Sequence, residues 1–181
     1  MGIKARLGVL LPQRRPLLWH LTPDRAEEWR AIRLAALADM PEAFDSPADD
    51  PAHRCLADSA ARLAQAETWA AGDSPGAPLA VASWEPGWTP GTETMGWITG
   101  VYARPQARGR GLISALLTRI ADRAQAAGMD RLGLRVGVAN TAARRRYLAE
   151  GFITMGTPVL NEAGVIEIEM LRVLPAPGWT P

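Results

Sequence analysis

The chain has 181 residues and a mass of 19.5 kDa, with 48% hydrophobic residues, 22% charged residues and a formal net charge of +1. That suits one globular domain with a sizeable core; the near-neutral charge gives no reason to expect nucleic acid, and no apolar run is long enough to span a bilayer. The single cysteine, Cys55, excludes an internal disulfide and points to a cytoplasmic setting. Residues 1–16 read as a flexible lead-in, because the apolar patch Leu7–Leu11 is too short for a secretory core and Pro12-Gln13-Arg14-Arg15 interrupts it. Residues 17–174 read as the domain and 175–181 as a tail.

In chain order, Leu17–Leu21 suits a first strand, and Thr22-Pro23 suits a helix entry, Thr as N-cap and Pro at the first helical position. Trp29, Ile32, Arg33 and Leu37 then recur at helical spacing between Asp24 and Met40. The acidic, proline-rich stretch from Met40 to His53 is a loop. Arg54–Ala71 resumes a helical pattern and Gly72 ends it, Pro78–Trp84 reads as a strand, and Glu85–Thr94 is a Gly/Pro turn. Met95–Ala103 carries Trp97, Ile98, Val101 and Tyr102, types that fit a pleated strand, and Pro105 stops it. Leu112, Leu116, Ile120, Ala124 and Ala127 form the stripe of an amphipathic helix that Gly128 closes. In RLGLRVGV, Leu132, Leu134, Val136 and Val138 alternate strictly, a strand parallel to Met95–Ala103 because a helix separates the two. A short helix from Thr141 ends at Gly151, and Phe152–Gly156 with Val165–Val173 form a last strand pair around an Asn161–Gly164 turn.

Between the central strand and its helix lies Gln106–Gly111, with two glycines and two arginines. The first four N–H groups of a helix have no intrahelical acceptor, and its N-terminus carries about half a positive charge. Gly109 and Gly111 lack a Cβ, so a phosphate can approach the backbone. The distribution of charge suits an anion here as well. Gly100–Glu150 holds ten arginines against three acids, whereas Asp39–Asp73 holds eight acids against Arg54 and Arg62. A basic half beside an acidic half fits an anionic cofactor beside a cationic substrate, and two solvated faces would look much the same.

Rival chemistries lack their residues. Gly109–Ser114 nearly fits the dinucleotide fingerprint, but Asn140 and not an acid follows the next strand, and no second half-sheet remains. There is no Gly-Lys-Ser/Thr, no G-x-S-x-G and no metal-ligand spacing, and Cys55 has only His20 and His53 as possible partners.

The residues resemble the GCN5-related N-acetyltransferases, which use acetyl-coenzyme A. Gln106-Ala107-Arg108-Gly109-Arg110-Gly111 is similar to that family's pyrophosphate turn, and Asn140, Ala143, Tyr147 and Gly151-Phe152 to its later run. Arg33–Leu37 and Pro41–Phe44 look like its opening helix and loop. The resemblance implies an α/β fold: a mixed, mostly antiparallel twisted sheet with a splayed central pair of parallel strands, flanked by helices. It implies that backbone groups of Val101, Tyr102 and Ala103 bind the pantetheine, and that amides of Arg108, Gly109, Arg110, Gly111, Leu112, Ile113 and Ser114 hold the pyrophosphate. Asn140 and Ala143 join the cofactor site, and Tyr147 is the acid to the leaving thiolate. Arg144, Arg145 and Arg146 either reach the coenzyme's phosphates or form a solvated helix face, which accounts for most of them. Members with a strand-borne glutamate base carry it where this chain has Trp97 and Thr99, so Glu93 is the nearest candidate, with a water chain as its equal. Trp84, Trp88 and Trp97 line an acceptor pocket or pack in the core. The expected reaction is acetyl transfer to a primary amine, that of a small molecule, an antibiotic or a protein terminus, with the acidic Asp39–Asp73 segment leaning towards a small cationic one, and with no metal; dimerisation is an expectation of the family alone. A coenzyme-A-binding module without turnover is the alternative, and release of free thiol separates the two.

Overall fold

A computed structural model describes residues 15–43, 50–87 and 91–175. Seven strands form one sheet: β1 (Leu17–His20), β2 (Glu67–Gly72), β3 (Ala80–Pro86), β4 (Met95–Ala103), β5 (Arg131–Gly137), β6 (Ile153–Leu160) and β7 (Ile166–Val173). Four helices of nine or more residues accompany them: α1 (Ala26–Asp39), α2 (Leu56–Gln65), α3 (Leu112–Ala126) and α4 (Thr141–Ala149). The sheet order is β1-β2-β3-β4-β5-β7-β6, and every neighbouring pair is antiparallel except β4–β5. This is the mixed, mostly antiparallel α/β architecture with a central parallel pair.

Alternation along the strands divides the core. Ala80, Ala82 and Trp84 of β3 with Leu132, Leu134 and Val136 of β5 pack under Leu116, Leu117 and Ile120 of α3. On the opposite face Ala70, Val81 and Tyr102 meet Trp29, Ile32 and Leu37 of α1 and Leu63 of α2. Leu116 is fully buried. Leu116→Ala is expected to cost about 2–5 kcal/mol of stability, seen as a lower denaturant midpoint at unchanged slope.

Two expectations change. Residues 67–72 are strand and not the end of a helix: α2 stops at Gln65, and Glu67–Ala71 pair with Ala80–Trp84 while Trp69–Gly72 pair with Leu17–His20. The Ala-rich stretch has no strong local preference, and pairing on both sides decides its state. Thr22-Pro23 opens a single 3-10 turn over Pro23–Arg25 ahead of α1, and the Thr22 side chain makes no cap bond. Phe44, Trp88, residues 1–14 and residues 176–181 lie outside the described residues.

β6 is the sheet edge next to β7, and Ile153, Val159 and Leu160 on it are more than half exposed, as is Ile166 of β7. Its pairing with β7 breaks between Met155 and Val159, where Pro158 and the positive-φ Gly156 sit.

Candidate active site

The site starts where a ladder ends. β4 and β5 pair only at Met95↔Arg131, Gly96↔Leu132 and Trp97↔Gly133, so the C-terminal half of β4 runs beside β5 with no bonds between them. On its other edge β4 stays paired with β3, but the register slips between Val81↔Tyr102 and Ser83↔Thr99, which leaves one extra residue in β4. Gly100 sits in that bulge at φ +61°, a conformation that favours glycine. The strand bends there and the sheet opens.

Two cavities meet at the opening. One, of about 640 Å³, is walled by β4 residues 98–103, the turn 107–111, the start of α3 and the face of α4. The other, of about 990 Å³, lies on the α1–α2 side and is walled by Trp29, Arg33, Arg62, Trp97, β7 and the β6–β7 hairpin. Ile98, Thr99, Gly100, Arg135 and Glu167 line both. The Thr99 hydroxyl there is buried with no hydrogen-bond partner among the described residues.

At the mouth of the first cavity the amides of residues 109–114 have no acceptor among the described residues; the first satisfied amide is that of Ala115, on the Gly111 carbonyl (3.0 Å). Gly109 and Gly111 both sit at φ +76°, and a Cβ built on either would meet nothing within 4 Å. The mouth is therefore a cluster of unsatisfied donors with open space in front, and the helix dipole adds positive potential to it. Arg108 and Arg110 do not face that space freely. Arg108 pairs with Asp39 and donates to the Ala103 carbonyl (3.2 Å), and Arg110 pairs with Asp73 (2.5 Å).

α4 closes the far wall. Asn140 caps it, its Oδ1 accepting from the Ala143 amide (3.1 Å), and Arg144 ties its first turn to the Val138 carbonyl (3.3 Å). Arg146 donates to Ser114 Oγ (3.2 Å) beside the α3 mouth. Tyr147 is buried against Phe152 in an edge contact at 5.9 Å, lines the cavity, and has no hydrogen-bond partner for its hydroxyl among the described residues. Burial pushes its phenol well above the ordinary value, so the proton stays on the oxygen throughout the neutral range. Val101, Tyr102, Ala103, Arg108, Gly109, Gly111, Leu112, Ile113, Ser114, Asn140, Ala143 and Tyr147 are thus brought to one cavity, and Arg110 stands at its mouth.

Glu93 is not brought there. It lies in the exposed turn before β4, its carboxylate accepts from the Gly91 amide (3.0 Å), and that bond holds its pKa below the usual value. Both facts disfavour it as a base, since the gap opens at the other end of β4. Among the described residues the carboxylate that lines both cavities is Glu167, which sequence order gave no reason to place there. β7 pairs antiparallel with β5, and Glu167 stands opposite Gly137 at the end of the splayed strand. Glu and Ile alternate in Ile166-Glu167-Ile168-Glu169, and Ile168 packs in the core, which turns Glu167 and Glu169 to the second cavity. The tryptophans divide: Trp84 packs in the core, whereas Trp97 lines the second cavity under the Arg135 guanidinium at 5.6 Å.

Comparison with known proteins agrees with this architecture. No curated protein matches the chain. Solved structures do. The ribosomal-protein-alanine N-acetyltransferase of Brucella melitensis superposes with a TM-score of 0.73 at 18% identity, covering 87% of this chain and 99% of that one. A phosphinothricin acetyltransferase of Sinorhizobium meliloti, in complex with acetyl-coenzyme A, gives 0.74 at 18% identity, covering 93% and 94%. A GNAT-family acetyltransferase of Streptococcus pneumoniae gives 0.71 at 20% identity, covering 89% and 100%. At these identities the likeness is one of fold. The sequence pattern of the acetyltransferase (GNAT) family matches residues 25–152, the stretch that holds the bulged strand, the glycine turn and the whole of α4 with Tyr147, and the chain belongs to that family.

Proposed function

We propose that the chain transfers the acetyl group of acetyl-coenzyme A to the primary amine of a small molecule by direct attack. The observation that carries this is the gap between β4 and β5, with unsatisfied amides at one end and a second cavity opening on the other side. The residues present fit acetyl-coenzyme A. Six consecutive amides without acceptors and two Cβ-free positions suit a diphosphate, and the open edge of β4 offers backbone groups to an extended chain.

The thioester supplies an activated acetyl group; the protein supplies position and protons. Amides of residues 109–114 hold the diphosphate, and the free edge of Val101–Ala103 aligns the pantetheine. The acceptor enters from the α1–α2 side, where Glu167 takes the proton that its nitrogen sheds as the C–N bond forms. Tyr147 gives its proton to the sulfur as the C–S bond breaks. Asn140 shapes the wall by capping α4. Glu93 has no part in these steps.

Four of the eight acids in the acidic stretch are engaged in ion pairs. Asp39, Glu67 and Asp73 pair with Arg108, Arg123 and Arg110 of the basic half, and Asp50 pairs with Arg33 of α1, which leaves less charge for a cationic acceptor than composition suggests.

Incubation with acetyl-coenzyme A and a panel of amines is expected to release free thiol above the blank; thiol never exceeding it would leave a coenzyme-A-binding module. Glu167→Gln is expected to lower kcat about a hundredfold while acetyl-coenzyme A binds as before. Steady-state kinetics checks it, and an unchanged kcat would move the base elsewhere.

A further inference from the structure

The cavity on the α1–α2 side has charges on two opposed walls. Two guanidiniums come from the helices, Arg33 on α1 and Arg62 on α2, and a third, that of Arg135 on β5, lies over Trp97. Carboxylates come from the last hairpin: Glu167 and Glu169 on β7, and Glu162 in the turn before it. The floor between them is apolar and aromatic, with Trp97, Ile98 and Met155.

On the helix wall Asp50 holds Arg33, and Arg62 lines the same cavity. Both Asp50 oxygens are engaged: Oδ2 accepts from Arg33 Nε (2.8 Å) and Nη2 (2.6 Å), and Oδ1 accepts from the Ala52 amide (2.9 Å). That pair is largely buried and fixes the Arg33 side chain across the cavity, where Nη1 lies 3.6 Å from the position a Cβ would take on Gly100, at the bulge itself. Arg62 has no carboxylate within 4.0 Å among the described residues. Arg108, Arg110 and Arg146, by the first cavity, each have an acidic partner, whereas Arg135, which lines both cavities, has none among the described residues. On the opposite wall Glu167 and Glu169 have no ion-pair partner among the described residues either, although Arg135 stands directly across from Glu169 in the ladder; its guanidinium lies over Trp97 instead.

A monocationic amine would answer only the β7 wall and leave Arg62 facing an apolar chain. An acceptor with opposite charges at its two ends answers both. We propose, presupposing acetyl transfer at this cleft, that the acceptor is amino-acid-like: a primary amine, a nearby carboxylate or other oxyanion, and an apolar body. Its amine faces Glu167 at the gap, its oxyanion sits against Arg62, and its side chain rests on Trp97 and Met155. Charge-assisted contacts between guanidinium and oxyanion are strong enough to set the choice of acceptor.

The test compares leucine, leucinamide and isoamylamine, which share a body and differ in the oxyanion. Leucinamide has the less basic amine, so a preference for leucine cannot come from amine reactivity. Thiol release from acetyl-coenzyme A is expected to give leucine a kcat/KM about tenfold or more above both analogues. Arg62→Gln is expected to remove that preference through KM for leucine, and Arg62→Lys to retain part of it. Equal or better use of isoamylamine, or a preference untouched by Arg62→Gln, would overturn the proposal. Tryptophan fluorescence of the coenzyme-A-saturated protein supplies a readout without turnover, because Trp29 and Trp97 line the cleft. Leucine binding that depends on Arg62 with no thiol release would uphold the charge complementarity and remove catalysis. Turnover of all three compounds alike would do the reverse.

Discussion

Tyr147→Phe is expected to lower kcat about a hundredfold or more while leaving the affinity for acetyl-coenzyme A within a factor of two or so. The substitution removes one oxygen. The ring keeps its edge contact with Phe152 and its place in the core, so the wall of the cavity stands. What is lost is a proton donor that burial holds in its neutral form and that no other described group occupies as a partner. Without it the thiolate must leave unprotonated, and the penalty falls on the chemical step. Stopped-flow or steady-state thiol release gives kcat, and calorimetry with coenzyme A gives the affinity. A normal kcat would remove Tyr147 as the acid; a large loss of affinity would make it a binding residue.

Gly109→Asp is expected to weaken coenzyme A binding about a hundredfold. Two effects add. At φ +76° an L-residue costs about 1–2 kcal/mol, and a carboxylate in front of the amides of residues 109–114 repels the diphosphate and competes for the same donors. Gly109→Ala separates them: its methyl would touch nothing within 4 Å, so it carries only the backbone cost, about tenfold. Calorimetry on both variants checks this. Equal losses in the two would mean that charge at the mouth is irrelevant and would disfavour a diphosphate there.

Local pattern carried the centre of the fold. β4, the glycine turn and α3 have their own signals: a run of strand formers ended by Pro105, two glycines at positive φ, and a stripe at helical spacing that buries Leu112, Leu116, Ile120 and Ala124. β5 was legible from strict alternation, and α4 from Asn140, which caps it through the Ala143 amide. Contacts between distant segments were not. Residues 67–72 became strand because β1 and β3 flank them, which no window of their own sequence contains. Glu93 is near β4 in sequence but at the wrong end of it, whereas Glu167 is 30 residues past β5 and reaches the gap through an antiparallel register. The signal that turns Glu167 to the second cavity, its alternation with the core residues Ile168 and Met170, was present in the sequence; the register that sets its position along β5 was not. The same holds for charge. Acidic and basic halves were visible as composition, and only the fold pairs Asp39 with Arg108 and Asp73 with Arg110.

Diffraction from crystals soaked in coenzyme A tests the central claim most directly, because it locates the diphosphate. Density for that group within hydrogen-bonding distance of several amides from Gly109 to Ser114, with the pantetheine along Val101–Ala103 and the sulfur at the β4–β5 gap, is the expected result. Coenzyme bound with its diphosphate elsewhere, and the α3 mouth facing solvent or another part of the chain, would contradict it.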